Sequence, residues 1–326
     1  MQAIVLVGGE GTRLRPLTSE VPKPAVTLVD RPFLAYAIEW LAGHGVSEVV
    51  LACGFLPDVL MEALGDHEHA GVTITYAVEP EPLGTAGAIR FAAEALADRL
   101  EDRFFALNGD VLADLDLSAL VRAHVGCGAQ ATIALHPVED SSAYGLVRCD
   151  EDGAVLEFLE KTGEKVPGEI NAGAYVLERS VLDLVPAGRA VSIEREVFPR
   201  LVGEGLSALL LDGYWMDIGT PERYLQASWD ILERRVETRV EPTAPGSLVA
   251  ADAEIAADAR LGKRVVVSSG CRIGAGAELG ESVLLDRVTV GEGARVEGSI
   301  LAPGAEVAPG AQLRGAVVGR NERVPT

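Results

Sequence analysis

A six-residue spacing of aliphatic side chains in the last third of the chain restricts the possible folds more than any other feature of this sequence. An α-helix repeats its apolar face about every 3.6 residues, and a strand with one buried face repeats it every second residue. A six-residue period with small residues between its members instead predicts a parallel β-helix of hexapeptide repeats. The spaced residues are Leu261, Val267, Ile273, Leu279 and Leu285, then Val290 and Val296 after a one-residue slip, then Leu301, Val307 and Leu313 after another.

A β-helix at the end of a chain has two main uses. It stabilises or oligomerises the domain that precedes it, or it carries out acyl transfer, usually with a catalytic histidine. Residues 237–326 contain no histidine, which argues against an acyltransferase. We therefore expect a left-handed parallel β-helix over residues 248–326 that supports a separate catalytic domain within a homo-oligomer.

Residues 1–236 follow a different pattern. Strand-like runs such as Ala3–Val7 alternate with helix-like segments such as Phe33–Ala42. This alternation predicts an α/β domain with a Rossmann-like, doubly wound sheet. From about Ala129 the pattern is rich in strands, so we expect a mixed sheet whose later part closes the site from the far side. Helices are predicted near Ile193–Val202 and Pro221–Arg234. Residues 237–247, which contain prolines and a glycine, are typical of a linker.

The composition narrows the class of partner. The 326-residue chain carries 49 acidic and 28 basic residues, a net charge of −21, which disfavours nonspecific binding to nucleic acid or to an anionic membrane. An anionic substrate must therefore meet a local basic cluster or a metal ion. No apolar run reaches the roughly 18 residues of a membrane span, and the four cysteines show neither zinc spacing nor a close pair. We expect reduced thiols in a cytoplasmic protein.

A glycine-rich loop follows the first strand-like run. It reads Gly8-Gly9-Glu10-Gly11-Thr12-Arg13-Leu14-Arg15-Pro16-Leu17-Thr18, and Pro22-Lys23-Pro24 comes shortly after it. A glycine turn at the carboxyl end of a first strand is where open α/β sheets bind phosphorylated ligands, since its backbone N–H groups can approach phosphate oxygens. Arg13 and Lys23 would add positive charge. The loop matches neither a P-loop nor the dinucleotide fingerprint, which needs a third glycine where Leu14 stands.

This loop resembles the signature of the sugar-nucleotide pyrophosphorylases, which join an NTP and a sugar 1-phosphate to give an NDP-sugar and pyrophosphate. The resemblance implies that an oxygen of the sugar phosphate attacks the α-phosphorus of the NTP. Such a step needs positive charge, Mg²⁺ and orientation rather than a nucleophilic side chain. No Ser/His/Asp set is evident in the sequence. His67 and His69 could bind a metal, but a solvated loop is the favoured interpretation of this segment.

Two further segments match metal-binding positions of that family. Asn108-Gly109-Asp110 follows a strand-like run, and Asp217 precedes Thr220-Pro221, which suits a helix cap and first turn. Without the resemblance, both aspartates would be interpreted as turn or cap residues. The resemblance makes Asp110 and Asp217 the carboxylates that hold Mg²⁺.

A third segment concerns the binding of the sugar phosphate and reads Phe158-Leu159-Glu160-Lys161. Neighbouring side chains of a strand face opposite sides, so no salt bridge between Glu160 and Lys161 is expected. The resemblance assigns the sugar phosphate to Lys161 and a sugar hydroxyl to Glu160. Where the family usually continues with proline, this chain has Thr162, which loosens the turn.

The resemblance also assigns two residues to the sugar and a loop to the base. Gly145 and Asn171 match sugar-contacting positions, although each would otherwise be interpreted as structural. The loop from Glu79 to Ala88 matches the base-recognition loop, in which Gly84 allows a flat base to approach and Thr85 caps the next helix or contacts the nucleotide. The complete nucleotide-binding set is Leu6, Gly8, Gly9, Gly11, Thr12, Arg13, Glu79, Gly84, Thr85 and Gly109, and the catalytic set is Arg13, Lys23, Asp110, Lys161 and Asp217.

The order of the later segments narrows the subfamily. Ser192–Glu196, Phe198-Pro199 and Gly213–Pro221 together resemble mannose-1-phosphate guanylyltransferases that carry a β-helical tail. Two alternatives stay open: the same reaction with another pair, such as glucose 1-phosphate with dTTP or UTP, or heptose or cyclitol 1-phosphate with GTP, and a non-catalytic subunit that senses the NDP-sugar. The second is disfavoured because the residues of the signature are all present.

Overall fold

The computed structural model describes residues 1–65, 68–161 and 163–326, and it divides into two compact units. The first unit comprises Met1–Gly9 and Leu34–Trp215, and the second comprises Glu10–Phe33 and Met216–Thr326. The glycine-rich loop therefore leaves the first unit after Gly9 and groups with the C-terminal part of the chain. None of the described helices has the length and apolarity needed to cross a membrane. All four cysteines are free thiols, as predicted.

The elements of residues 1–236 begin and end as follows. The strands are β1 (Gln2–Leu6), β2 (Thr27–Leu28), β3 (Arg31–Pro32), β4 (Glu48–Cys53), β5 (Glu68–His69), β6 (Val72–Val78), β7 (Arg103–Asn108), β8 (Val111–Ala113), β9 (Ala131–Val138), β10 (Gly145–Cys149), β11 (Val155–Glu160), β12 (Gly168–Glu178), β13 (Leu206–Leu210) and β14 (Trp215–Asp217). The helices are α1 (Phe33–Gly43), α2 (Pro57–Leu64), α3 (Gly84–Leu96), α4 (Leu117–Cys127), α5 (Phe198–Leu201) and α6 (Pro221–Leu232).

A mixed sheet forms the centre of the first unit. Its main path is β11-β10-β12-β7-β1-β4-β6-β5, and β9 pairs with both β12 and β13. β1 runs parallel to β4 and β7, and β4 runs parallel to β6. β12 is antiparallel to β7 and to β9. The predicted α/β class is confirmed: β7, β1, β4 and β6 are parallel neighbours, β12 is antiparallel to all its neighbours, and β13 runs parallel to β9.

The parallel strands are buried on both faces, which explains their nearly continuous apolar sequence. Ala3, Ile4 and Val5 of β1 are each fully inaccessible to solvent. The helix predicted near Ile193–Val202 is present in a different form, as a π-helical turn at Ile193–Val197 followed directly by the short α5.

The C-terminal part of the second unit is a β-helix of three parallel sheets. Its strands are β15 (Leu248–Val249), β16 (Glu254–Ile255), β17 (Arg260–Leu261), β18 (Val265–Val267), β19 (Arg272–Ile273), β20 (Glu278–Gly280), β21 (Ser282–Leu284), β22 (Thr289–Val290), β23 (Arg295–Glu297), β24 (Ile300–Leu301), β25 (Glu306–Val307), β26 (Gln312–Arg314), β27 (Val317–Val318) and β28 (Arg323–Val324). The sheet orders are β15-β18-β21-β24-β27, β16-β19-β22-β25-β28 and β17-β20-β23-β26.

The register explains the slips in the six-residue pattern. Arg260 pairs with Glu278, so the first coil advances by 18 residues, three sides of six. Ser282 and Ser299 occupy equivalent places 17 residues apart, so the later coils have one side shortened to five. The residues predicted to face the interior are buried, with the exception of Leu261. Leu261 lies on β17, a terminal strand with a neighbour on one side only.

The three faces of the β-helix differ in what they expose. Val266, Val283 and Ile300 lie side by side and point out of the coil, yet each is fully buried. The other two faces carry exposed charged side chains on neighbouring strands, for example Arg260 with Glu278 and Arg272 with Glu254. One face is therefore a packing surface and the other two face water.

Candidate active site

Three neighbouring parallel strands of the first unit end at one edge of its sheet. β1 is followed by Gly8 and Gly9, β4 by Gly54, and β6 by Glu79. A Cβ atom on Gly8 would lie 3.7 Å from the backbone nitrogen of Gly54 and 3.9 Å from Glu79 Oε1. No atom of the described residues would lie within 4 Å of a Cβ on Gly9. The backbone at Gly9 is therefore open to an incoming group.

The loop after β6 is closed by its own first residue. The Glu79 carboxylate accepts a hydrogen bond from the Leu83 backbone N–H at 2.9 Å. Burial raises the pKa of Glu79, and this hydrogen bond partly opposes the rise. The sequence assigned Gly84 to the approach of a base. In the structure, a Cβ on Gly84 would lie 2.7 Å from the carbonyl oxygen of Val191, so packing of the chain already requires glycine there.

Thr85 has a different role from the predicted helix cap. The N-terminal cap of α3 is Leu83, without a side-chain hydrogen bond. Thr85 lies inside the first turn, where its hydroxyl donates to Glu194 Oε2 at 2.8 Å. The cap prediction is wrong because α3 starts at Gly84, too early for Thr85 to precede it.

Asp110 lies in the tight connection between β7 and β8. The backbone N–H of Gly109 donates to the carbonyl of Leu6 at 2.9 Å, and a Cβ on Gly109 would lie 2.7 Å from Val7 Cγ1. This close packing fixes the turn and puts the half-buried Asp110 directly past a central strand. A carboxylate at this edge is suited to hold a divalent cation together with phosphate oxygens.

Glu160 and Lys161 form an ion pair, contrary to the prediction. Lys161 Nζ lies 3.4 Å from Glu160 Oε1. The strand ends at Glu160, and Lys161 adopts a left-handed φ of 49°, so the alternation of a strand no longer separates the two side chains. The Lys161 side chain is 61% exposed, which makes this a weak pair that an anionic ligand can replace. Thr162, where the sequence departs from the family pattern, lies outside the described residues.

Gly145 and Asn171 lie on β10 and β12, the next two strands of the sheet after the strand of Glu160. Gly145 pairs with Glu160 across β10 and β11, and a Cβ on Gly145 would lie 2.9 Å from Glu160 Oε2. The Asn171 amide donates to the hydroxyl of Tyr175 at 2.8 Å and accepts from the Gly173 N–H at 2.9 Å. Asn171 therefore has a fixed orientation and keeps one amide hydrogen for a ligand.

In the second unit the glycine-rich loop folds around Lys23. Gly11 has a φ of 63°, and a Cβ there would lie 2.9 Å from the Cβ of Lys23. The Thr18 hydroxyl donates to the Gly11 carbonyl at 2.8 Å. These contacts explain why the motif combines a glycine, a threonine and a lysine, since the turn at Gly11 must be left-handed and must leave room for the lysine side chain. Thr12, one residue on, is exposed.

Lys23, Asp217 and Arg223 form a charged cluster in the same unit. Lys23 Nζ lies 3.5 Å from Asp217 Oδ1, and their side chains are only 8% and 20% exposed. Arg223 lies 3.5 Å from the other carboxylate oxygen and donates to the Asp217 carbonyl at 3.2 Å. Arg223 was not predicted from the sequence, where its only signal is a cationic residue in the first turn of the helix after Asp217.

Arg13 joins this cluster through Gly219. A Cβ on Gly219 would lie 2.8 Å from a guanidinium nitrogen of Arg13, so the guanidinium rests against the glycine. The next residue, Thr220, accepts a hydrogen bond from the Arg223 N–H, and Pro221 follows at the start of α6. The predicted cap and first turn are confirmed. The structure thus brings three of the predicted catalytic residues together, Arg13, Lys23 and Asp217.

His44, His69 and His124 have side-chain hydrogen-bond partners, whereas the buried Nδ1 of His136 has none among the described residues and its ring stacks on Trp215. The buried His124 lies 2.8 Å from the Thr132 hydroxyl and 3.1 Å from Glu178 Oε1, and burial lowers the pKa of His124. His69 lies 3.3 Å from Glu39 Oε1. His67 lies outside the described residues.

Each of the two predicted metal-binding carboxylates is of the kind that holds an ion together with phosphate oxygens. Within residues 1–65, 68–161 and 163–326 there is no group of three or more His, Cys, Asp or Glu side chains that could hold a metal ion. Mg²⁺ typically binds through one or two carboxylates together with phosphate oxygens and water. Asp110 and Asp217, both half-buried, are carboxylates of this kind.

Comparisons with known proteins show the family of this chain. The nucleotidyl transferase family model matches residues 2–234, and the GMPPB C-terminal domain model matches residues 243–325. "Probable mannose-1-phosphate guanylyltransferase 3" of Oryza sativa subsp. japonica is 40% identical over 296 residues, covering 89% of this chain and 81% of the relative. The mannose-1-phosphate guanylyltransferase of Mycobacterium tuberculosis is 39% identical over 294 residues, with the same coverage.

A solved structure supports the fold of the catalytic part. The crystal structure of HddC from Yersinia pseudotuberculosis complexed with GMP-PN superposes with a TM-score of 0.61 at 29% identity, covering 71% of this chain and 99% of that chain. The nucleotidyl transferase family model matches residues 2–234, and a relative is 40% identical over 89% of this chain. The chain therefore belongs to the nucleotidyl transferase family.

Proposed function

We propose that this protein transfers a guanylyl group from GTP to mannose 1-phosphate, giving GDP-mannose and pyrophosphate. Sugar-1-phosphate nucleotidyltransferases of this family join an NTP and a sugar 1-phosphate, generally with a divalent metal ion. The observation that carries the proposal is the cluster of Arg13, Lys23 and Arg223 around Asp217 and Gly219. In a protein with a net charge of −21, such a cluster is what a polyanionic substrate requires.

The assignments of guanine as the base and of mannose as the sugar rest on different observations. Guanine is favoured by the names of the curated relatives and by HddC, whose crystal structure is a complex with GMP-PN. Mannose is favoured by the names of the curated relatives alone. The same reaction with another pair, such as heptose or cyclitol 1-phosphate with GTP, is the second candidate.

The reaction itself is a displacement at phosphorus. An oxygen of the sugar phosphate forms a bond to the α-phosphorus of the NTP, the bond from that phosphorus to the bridging oxygen breaks, and pyrophosphate leaves. We assign Arg13 and Lys23 to the triphosphate and Lys161 to the sugar phosphate. Their charges reduce the repulsion between the two anions and stabilise charge that develops on the leaving group.

We assign Asp110 and Asp217 to the metal ion, for which we propose Mg²⁺. When bound, it would neutralise charge on the phosphate oxygens. The ion pairs of Asp217 with Lys23 and Arg223 hold its carboxylate in a fixed orientation.

The binding residues keep the roles expected from the sequence, with one refinement. Leu6, Gly8, Gly9, Gly11, Thr12, Glu79, Gly84, Thr85 and Gly109 are proposed to form the nucleotide site, and Gly145, Glu160 and Asn171 the sugar site. Gly9 is the glycine with open space around it, whereas Gly84 and Gly109 have packing reasons of their own. The refinement is that Gly9 offers its backbone to the nucleotide and the other two shape the loops.

The proposed organisation is a catalytic domain over 1–236, a linker over 237–247 and a β-helix over 248–326, in a cytoplasmic homo-oligomer. Sedimentation or light scattering of the purified full chain would measure the oligomeric state. A monomer at micromolar concentration would contradict that part of the proposal.

One substrate panel tests the function. The full chain would be incubated with ATP, GTP, CTP, UTP or dTTP against mannose, glucose, heptose and cyclitol 1-phosphates, and pyrophosphate release would be measured with and without Mg²⁺. We expect the highest kcat/KM for GTP with mannose 1-phosphate, and loss of turnover when EDTA removes the metal. Preference for another pair would move the assignment to the second candidate. Binding of GDP-mannose without any pyrophosphate release would indicate the non-catalytic alternative.

A further inference from the structure

The loop that precedes α3 is tied to the segment that precedes the π-helical turn. The Val191 N–H donates to the Leu83 carbonyl at 2.9 Å, and the Ala86 N–H donates to the Val191 carbonyl at 2.9 Å. A Cβ on Gly87 would lie 2.6 Å from the Arg189 carbonyl oxygen. The base loop is therefore held by backbone contacts to residues far along the chain, so its position depends on that segment.

Glu194 adds a side-chain link at the same junction. Its Oε2 atom accepts hydrogen bonds from the Thr85 hydroxyl at 2.8 Å and from the Ser192 hydroxyl at 2.7 Å. The Ile193 N–H donates to the Thr85 hydroxyl at 2.7 Å. Within the described part of the chain, the other oxygen, Oε1, accepts no hydrogen bond, and the side chain is half-buried. A half-buried carboxylate oxygen without a donor is a ready acceptor for a ligand hydroxyl.

The carboxylate also lies near Tyr175, the hydrogen-bond partner of Asn171. Tyr175 is fully buried, and its hydroxyl accepts the hydrogen bond from Asn171 at 2.8 Å. Burial raises the pKa of Tyr175, and the nearby charges of Glu194, Glu160 and Asp110 raise it further. Glu194 therefore lies in the same polar neighbourhood as Asn171 and Glu160.

We infer that Glu194 is a specificity-determining residue of the sugar site: Oε2 fixes it to the base loop through Thr85, and Oε1 accepts a hydrogen bond from one hydroxyl of the sugar. The inference rests on the proposed function, because it presupposes a sugar 1-phosphate. It deepens that function by making the base loop and the recognition of one sugar hydroxyl parts of a single hydrogen-bonded unit.

The test is a thermodynamic cycle that combines a change of the Glu194 side chain with removal of one hydroxyl from the sugar. Glu194→Gln and the wild-type full chain would be assayed with GTP, mannose 1-phosphate and its 2-, 3-, 4- and 6-deoxy analogues. Loss of a hydrogen bond to a charged acceptor reduces kcat/KM by about 10-fold to 100-fold. We expect one deoxy analogue to show this loss with the wild type. With Glu194→Gln, mannose 1-phosphate itself should be slow and that analogue no slower, because the two changes remove the same interaction.

A matched control comes from the same turn. Glu196 is an exposed carboxylate that bonds the Ser192 N–H and Arg189. Glu196→Gln should keep the wild-type pattern with all the analogues. Thr85→Val should raise KM for both substrates, since it frees Glu194 from the loop, and Thr85→Ser should restore both values.

The possible outcomes distinguish failure of this inference from failure of the proposed function on which it rests. If the wild type releases no pyrophosphate with any sugar 1-phosphate, the proposed function fails. If the wild type turns over and Glu194→Gln retains every deoxy penalty of the wild type, the inference alone fails. Thermal unfolding would verify the fold of each variant. Should Glu194→Gln not fold, Glu194→Asp, which withdraws the carboxylate by one methylene, carries the same cycle, and unchanged penalties there overturn the inference.

Discussion

Single residues of one type have different tasks in this protein, and glycine illustrates this best. Gly84 has the Val191 carbonyl against it and Gly109 has the Val7 side chain against it, whereas Gly9 has open space. The sequence assigned all of these glycines to the nucleotide. It could not separate them because the atoms that crowd Gly84 lie more than a hundred residues along the chain.

At this scale we predict the effect of removing a single charged side chain. Lys23→Ala should reduce kcat by at least about 100-fold, as loss of a group that stabilises transition-state charge does, and Asp110→Ala should have a similar effect. Pyrophosphate release would be measured, with circular dichroism to verify the fold. Lys165→Ala is the control, since the Lys165 side chain is 82% exposed and lies outside the proposed site. Near-normal turnover in a well-folded Asp110→Ala protein would contradict the assignment.

Elements followed the sequence where their periodicity was plain, as in β1, β7, α6 and the coils of the β-helix. The irregular parts did not. β12 breaks its register with β9 between Asn171 and Tyr175, and Gly173, with a φ of 74°, faces Asn108 there. The π-helical turn at Ile193–Val197 was predicted as ordinary helix. Both depend on contacts between distant segments, which local patterns do not encode, and both lie beside the candidate sugar site.

The sheet of the β-helix whose outer side chains are buried supplies a prediction for an element. Val283→Lys should lower the free energy of unfolding by more than about 3 kcal/mol, since it places an unpaired charge where water is excluded. Thr289→Lys, on the neighbouring sheet and partly exposed, should change it by about 0.5 kcal/mol or less. Urea unfolding of both variants would measure the difference. Equal destabilisation would mean that the outer side of β21 is no packing surface.

For the whole molecule, charge is the property with the widest effect. A net charge of −21 repels itself in the folded state, and dissolved salt screens that repulsion. We predict that Tm rises by a few degrees as NaCl increases from about 10 mM to about 150 mM, where the Debye length is about 8 Å. Calorimetry in EDTA, which removes any specific metal binding, would measure it. A Tm that is flat or falls with salt would show that exposed ion pairs outweigh the repulsion.

The division of the chain into units could be predicted only in part from the sequence. The change from an α/β pattern to hexapeptide repeats is visible in the sequence, and the two family matches, 2–234 and 243–325, follow it. The grouping of Glu10–Phe33 with the C-terminal part is not visible. It depends on contacts such as that of Lys23 with Asp217, which join ends of the chain that no local pattern relates.

The fixed coil length of the β-helix means that the C-terminal part of this protein can change its length in steps of one whole coil. Because the later coils place equivalent residues 17 apart, inserting or removing one whole coil among them would preserve the interior side chains and turns of the others. Such a change would move the C-terminal turn along the coil axis by about 4.8 Å, the distance between neighbouring strands. A change of a single residue within a strand would instead exchange its inward and outward side chains. The length of this tail can therefore vary during evolution by complete coils far more readily than by single residues.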